Sequence, residues 1–245
     1  MTEPRDVAPR TDDGGKPWGL WATLGFGVLI VVAWMAVQGI AIVLLAGGGA
    51  KASDAIARGW IVAWTTIISA PILVGAPVLL AWVRKGISVA AYLGLALPRA
   101  REALRWSLIL IGLVAASDLL SLALGRPVVP EAMISMYQTA GSVPIFLLGL
   151  VVAAPLAEEF LFRGFLFAGL RESRLGPTGA IALTALAWGS LHVQYDLYGM
   201  AIVAATGILL GLIRWRTGSL WLCALLHALI NAVATVEVMF LLSWR

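Results

Sequence analysis

The stretch Pro155-Leu156-Ala157-Glu158-Glu159-Phe160-Leu161-Phe162-Arg163 decides the fold. It sets two carboxylates and a guanidinium inside an apolar run that starts at Val143 and continues past Phe167. In hydrocarbon each such charge costs about 2.5–3.5 kcal/mol on insertion scales. Charges placed this close together need either partners or a polar cavity. On a helix Glu159 and Arg163 stand at i,i+4 and share a face, so they can pair. Glu158 is rotated by about 100° from its neighbour and does not point towards Arg163. One glutamate is thus balanced locally, and the other is left to face something else.

Composition says what surrounds that run. Hydrophobic residues make up 61% of the chain and charged ones only 12%, with a mean hydropathy of +0.95. Such values exclude a soluble globular domain and indicate an integral membrane protein, so the lipid bilayer is the first partner. The formal net charge of +4 comes mainly from basic residues in short loops. It therefore reports topology, and no nucleic-acid partner is expected. The single cysteine, Cys223, excludes an internal disulfide.

Outward from the glutamates the chain divides into three parts. Residues 1–17 read as a disordered tail rich in Pro, Gly and Asp. Residues 18–103 hold two spans and a basic loop, and residues 104–242 hold the remaining spans. The spans run from Trp18 to Ala46, Trp60 to Val83, Leu104 to Leu124, Val143 to Leu170, Thr178 to Val193, after Tyr198 to Ile213, and Leu220 to Leu242. Pro71 and Pro77 predict a kink in the second, and residues 125–142 read as polar and irregular. The fold class is all-α, a polytopic membrane helix bundle of about seven transmembrane helices. Twelve of the 17 lysines and arginines fall in the tail and in segments 84–105, 171–174 and 214–216; four fall in the alternating segments, and Arg163 lies within a span. This bias predicts an N-inside, C-outside chain in the cell (inner) membrane.

The remaining polar side chains of the spans form a pattern. The only two histidines, His192 and His227, both fall in apolar segments. His227 and Asn231 share a helix face at i,i+4, as do Trp188 and His192. A bundle that turns these faces towards Glu158 gathers carboxylate, imidazole and carboxamide groups. That set suits peptide-bond hydrolysis. A carboxylate in an apolar site can take a proton from water and return it to the leaving amine. A histidine can share that task or bind a metal. Asparagine can donate to an oxyanion. Glu158, His192 and His227 are the candidate ligands of a catalytic Zn²⁺, and the sequence leaves metal-bound and metal-free water both open.

Glu158-Glu159-x-x-x-Arg163, Trp188-x-x-x-His192 and His227-x-x-x-Asn231, in this order, resemble the CPBP family of intramembrane endopeptidases. These are the CAAX prenyl protease and bacteriocin-processing proteins. The similarity extends over roughly residues 104–242, and Tyr92-Leu93-Gly94-Leu95 also fits the family. The resemblance implies that Glu158 activates water with His192, and that His227 and Asn231 support the oxyanion. Glu159, within the catalytic glutamate pair, and Arg163 would be structural partners. The substrate would be a membrane-associated or lipidated peptide or protein, reached through a cavity open to the cytoplasm. Where the family more often has phenylalanine this chain has Trp188, which is expected to alter pocket shape rather than chemistry.

Other polar residues offer rival roles. Asp118 could orient a histidine or pair with Arg163, and Asp196, at i,i+4 from His192, could be the partner behind it. Cys223, four residues before His227, invites a thiol nucleophile, against which stands simple packing in a membrane helix. Two other function classes use the same residues. One is a proton-coupled transporter, which the lack of an internal repeat argues against. The other is a non-catalytic immunity or regulatory protein of the same family.

Overall fold

The computed structural model describes residues 15–47 and 57–244. Most of the expected tail, together with Lys51 and Arg245 from the charge count, lies outside the described residues. Among those described, regular structure is helical apart from one antiparallel bridge between Leu95 and Ser219. The helices are α1 (Leu20–Ala46), α2 (Gly59–Val83), α3 (Val89–Leu93), α4 (Ala100–Ala123), α5 (Glu131–Gln138), α6 (Val143–Arg171), α7 (Gly176–Ser190), α8 (Leu197–Thr217) and α9 (Leu220–Ser243).

Six of them, α1, α2, α4, α6, α8 and α9, are long and apolar enough to cross a membrane. In lipid the backbone must satisfy its own polar groups, which is why apolar runs of this length fold as helices. The remaining expected span is α7, whose 15 residues rise about 22 Å at 1.5 Å each. The bundle wears its apolar side chains outward as well as inward: Trp21, Leu44, Trp82 and Leu119 are all well exposed, as a lipid-facing surface requires. One apolar core takes Ile30 and Leu73 from the N-terminal part together with Phe165, Leu210 and Leu226 from the rest.

The bundle has two ends. At one, the Trp18 indole donates to the Leu80 carbonyl (3.0 Å), the Arg84 guanidinium to Lys16 O, and Ser219 Oγ to Ala96 O. This end carries the basic segments. Gly94 closes α3 there with φ +73°, and a Cβ on it would collide with the Arg214 guanidinium. At the other end, the start of α2 bonds to Thr139, and Arg126 pairs with Asp196 at 2.7 Å. Residues 125–142, expected to be irregular, contain α5 at this end. Its Ile134 and Met136 are buried, and apolar anchoring rather than polarity governs the segment.

α6 is a continuous helix with two π-turn segments, Leu148–Ala153 and Phe160–Leu166. Such wider turns often occur at functional sites. The first has a readable cause. Pro155 has no N–H to give, and the Ala154 N–H reaches back to Gly149 O in the i→i−5 pattern. In that pattern the Leu150 carbonyl belongs to Pro155, so it is left without a backbone donor. Asn231 on α9 supplies the missing donor from its side chain, Nδ2 to Leu150 O at 2.7 Å.

Candidate active site

α6 presents its two glutamates to different surroundings. Glu159 is sealed, with none of its side chain exposed, as is Arg163. Arg163 Nη1 donates to Glu159 Oε1 at 2.9 Å, and Nη2 donates to the Gly207 carbonyl at 3.1 Å. α8 can come this near because residue 207 lacks a side chain: a Cβ there would sit 3.0 Å from the Trp188 ring. The guanidinium also lies over the Trp188 indole, 4.6 Å from its centroid, a cation–π contact in a dry site. The same Glu159 Oε1 receives His227 Nδ1 at 3.0 Å. The proton of that bond therefore sits on Nδ1, and Nε2 is turned the other way.

Glu158 is 23% exposed and lines a cavity of about 690 Å³ with Trp188, His192, His227 and Asn231. Its Oε2 accepts the Trp188 Nε1–H at 2.5 Å and lies 4.0 Å from His227 Nε2. The two imidazoles flank the same indole edge-on, with centroids 5.1 Å (His192) and 5.0 Å (His227) from it. His192 donates from Nδ1 to the Trp188 carbonyl at 2.9 Å, which leaves its Nε2 lone pair free. Tyr195 stacks on the outer side of His192. Burial pushes its phenol above the ordinary range, so it keeps its proton.

Trp188 is thus more than a shape-filling aromatic. Sequence reading expected it to leave the chemistry unchanged, but its indole N–H is a hydrogen-bond donor that phenylalanine lacks, and it is spent on Glu158. The spacing Trp188-x-x-x-His192 placed it correctly. The donor was the part overlooked.

Two other expected contributors lie elsewhere. Asp196 does not reach His192: its Oδ1 caps α8 at the Gly199 N–H and its Oδ2 holds Arg126. The turn 191–196 breaks the helical spacing on which an i,i+4 partnership depended. Asp118 lines a separate shallow groove between α4 and α9, beside Leu229 and Val233, and Arg163 is already paired without it. Cys223 is wholly buried, its thiol against the carbonyls of Leu210 and Ser219 at 3.4 Å. It does not line the cavity, so packing, not nucleophilic attack, accounts for it.

A zinc site was expected at Glu158, His192 and His227. Among the described residues no three His, Cys, Asp or Glu side chains gather closely enough to hold a metal ion. Glu158 Oε2 is also occupied by the indole N–H. As placed here, these three side chains do not form a three-ligand metal centre.

The cavity has a direction. Its deep end is at Glu158, Leu73 and Thr206, near the middle of their helices, and its outer end is at Ala57, Ser135 and the turn from Leu191 to Tyr195. The basic segments contribute nothing to it. Sequence reading expected both an N-inside chain and a cavity opening inward. In the structure the start of α1 and the basic loops lie at the end of the bundle opposite the cavity-lining residues Ala57 and Ser135.

Residues 140–233 match the family described as Rce1-like, Type II CAAX prenyl endopeptidase. All three motifs that carried the resemblance fall inside this range, which is narrower than the 104–242 read from the motifs; Tyr92–Leu95 lies outside it. No curated protein and no solved structure compared with the chain matches it.

Proposed function

From the Rce1-like character of residues 140–233, we propose that this multi-pass membrane protein is a CAAX-type intramembrane endopeptidase. It hydrolyses peptide bonds of membrane-associated or lipidated peptides and proteins, with water as the nucleophile. The observation that carries this reading is the division of labour between adjacent glutamates. Glu159 is neutralised by Arg163 and sealed, while Glu158 faces the cavity with an imidazole nitrogen 4.0 Å away.

In the proposed step Glu158 takes a proton from water as the water oxygen bonds to the scissile carbonyl carbon. His192, with its free Nε2, helps hold that water. The carbonyl oxygen becomes an oxyanion on the side of Asn231, whose Nδ2 has a second N–H beyond the one given to Leu150 O. As the C–N bond breaks, Glu158 returns the proton to the leaving nitrogen. General acid–base action of this kind contributes about 10²–10⁴ in rate. Glu159 acts through others: it fixes the His227 ring through Nδ1 and keeps Arg163 away from Glu158. The cavity walls favour an apolar substrate, since Trp34, Ile61, Leu73, Met133, Phe162 and Ile202 surround the few polar groups.

The test is cleavage of a membrane-peptide library by purified protein and by its Glu158→Gln variant. Cleavage that disappears with the variant supports the reading. Cleavage that survives, or its absence from the parent protein, overturns it.

A further inference from the structure

Arg214 is a buried charge that the proposed chemistry does not use. It stands in the last turn of α8 with 3% of its surface exposed, and a charge so placed in a membrane bundle is costly to keep. Its hydrogen bonds go to carbonyls: Nε donates to Arg163 O at 3.0 Å and Nη1 to Gly218 O at 2.8 Å. Closing α8 does not require the guanidinium, since Gly218 at φ +70° already returns its N–H to Arg214 O. The group lies over the Phe167 ring and against Gly94, where a Cβ would stand 2.2 Å from Nη2. It does not line the cavity.

The bond to Arg163 O answers a need of α6. In the second π-turn segment the Phe167 N–H reaches back to Phe162 O in the i→i−5 pattern, and α-helix resumes at Phe167. A ladder that returns from i→i−5 to i→i−4 passes over one carbonyl. Arg163 O follows Phe162 O, and it takes a donor from α8. The first segment has the same device, with Asn231 of α9 donating to Leu150 O. Between the two wide segments lies the α-helical stretch Ala154–Glu159, which carries both glutamates. A wide turn holds one residue more than an α-turn, and one residue is about 100° of helix. A wide segment that tightened would re-aim Glu158 and Glu159 against the rest of α6.

We infer that Arg214 is a positioning residue for the glutamate pair: by holding Arg163 O it keeps the second wide segment open, and so keeps Glu158 on the cavity and Glu159 on Arg163. This rests on the endopeptidase reading given above and deepens it by adding a residue that touches no substrate. Gly94 gains a task as well. It lies outside residues 140–233, yet its carbonyl accepts the Leu220 N–H and its bare Cα leaves room for the guanidinium between α3 and the α8–α9 turn.

The experiment uses the full chain in detergent, labelled with fluorotryptophan. It reads turnover of a cleaved membrane peptide and the fluorine NMR resonance of Trp188, assigned by its loss in Trp188→Phe. The indole N–H on Glu158 makes that resonance a report on where Glu158 points, with or without activity. Arg214→Leu removes the donors and keeps an apolar side chain. Replacing a buried charge in this way is often neutral for stability, so unfolding should stay close to that of the parent. The expected result is a kcat lower by about 10- to 100-fold with KM unchanged, together with a displaced Trp188 resonance. An unmoved resonance overturns the inference whatever the turnover, and so does a parental kcat beside a displaced one. Where Arg214→Leu fails to fold, Gly94→Ala takes the same readings under the same criteria, because its methyl drives the guanidinium from its seat with Arg214 intact. If the parent protein cuts no peptide, the endopeptidase reading fails by itself, and the resonance alone decides for or against Arg214.

Discussion

Glu158 and Glu159 are neighbours in sequence and opposites in environment. Glu159 has no exposed surface, and one of its oxygens serves both a guanidinium and an imidazole. Glu158 borders a large cavity and is held by a single indole N–H. The difference shows how a membrane helix can carry two acids at one level for different ends. One acid secures the bundle by cross-linking α6, through Arg163, to α8 and, through His227, to α9. The other is left partly exposed on the cavity wall. The helical rotation of about 100° between successive residues makes the separation possible.

Substitutions can break or sharpen this contrast. The largest effect is expected for Glu158→Gln, which keeps volume and removes the base: turnover should fall by about 10²–10⁴, while thermal unfolding in detergent stays that of the parent. An active Glu158→Gln enzyme would end the distinction between the two acids. Glu159→Gln should show the converse. Breaking a buried pair costs about 3–5 kcal/mol, so its unfolding transition should drop sharply, and a dead but fully stable variant would mean the roles are exchanged.

Smaller effects refine the open side. Trp188→Phe keeps the ring against both imidazoles and deletes the donor to Glu158. Hydrogen bonds to charged groups are worth about 1.5–3 kcal/mol, so kcat should drop by roughly 10- to 100-fold with little change in folding. Parent-like turnover would reduce Trp188 to a shape-filling ring. The smallest effect is expected from metal removal. Chelation followed by elemental analysis should leave active protein carrying less than one metal per several molecules. Restoration of lost activity by added zinc would show that Glu158, His192 and His227 close up around an ion after all.

Much of the bundle was legible because lipid imposes simple rules: apolar runs of sufficient length become helices, and their borders follow from Gly, Pro and charge. The Glu159–Arg163 pair was legible from i,i+4 spacing alone, as was the common face of His227 and Asn231. Features that depend on a second helix were not. Asp196 lay at the right spacing from His192, but the turn between them cancels the periodicity. The amphipathic α5 is only 8 residues long, too short for its pattern to stand out from the polar stretch around it. The indole bond to Glu158 requires knowing how α7 is rotated against α6. The direction of the cavity requires knowing which ends of seven helices splay apart, and no single helix carries that information.

The missing hydrogen bond at Pro155 bears on the order in which the site comes into being. While α6 is in the bilayer and α9 is still being synthesised, the Leu150 carbonyl has no donor and Glu159 has only Arg163 as a partner. Both gaps are filled by the last helix of the described chain, through Asn231 and His227. An endopeptidase of the kind proposed above would thereby be withheld from action until α9 is in place. Nascent and truncated copies carry the glutamates but not the site.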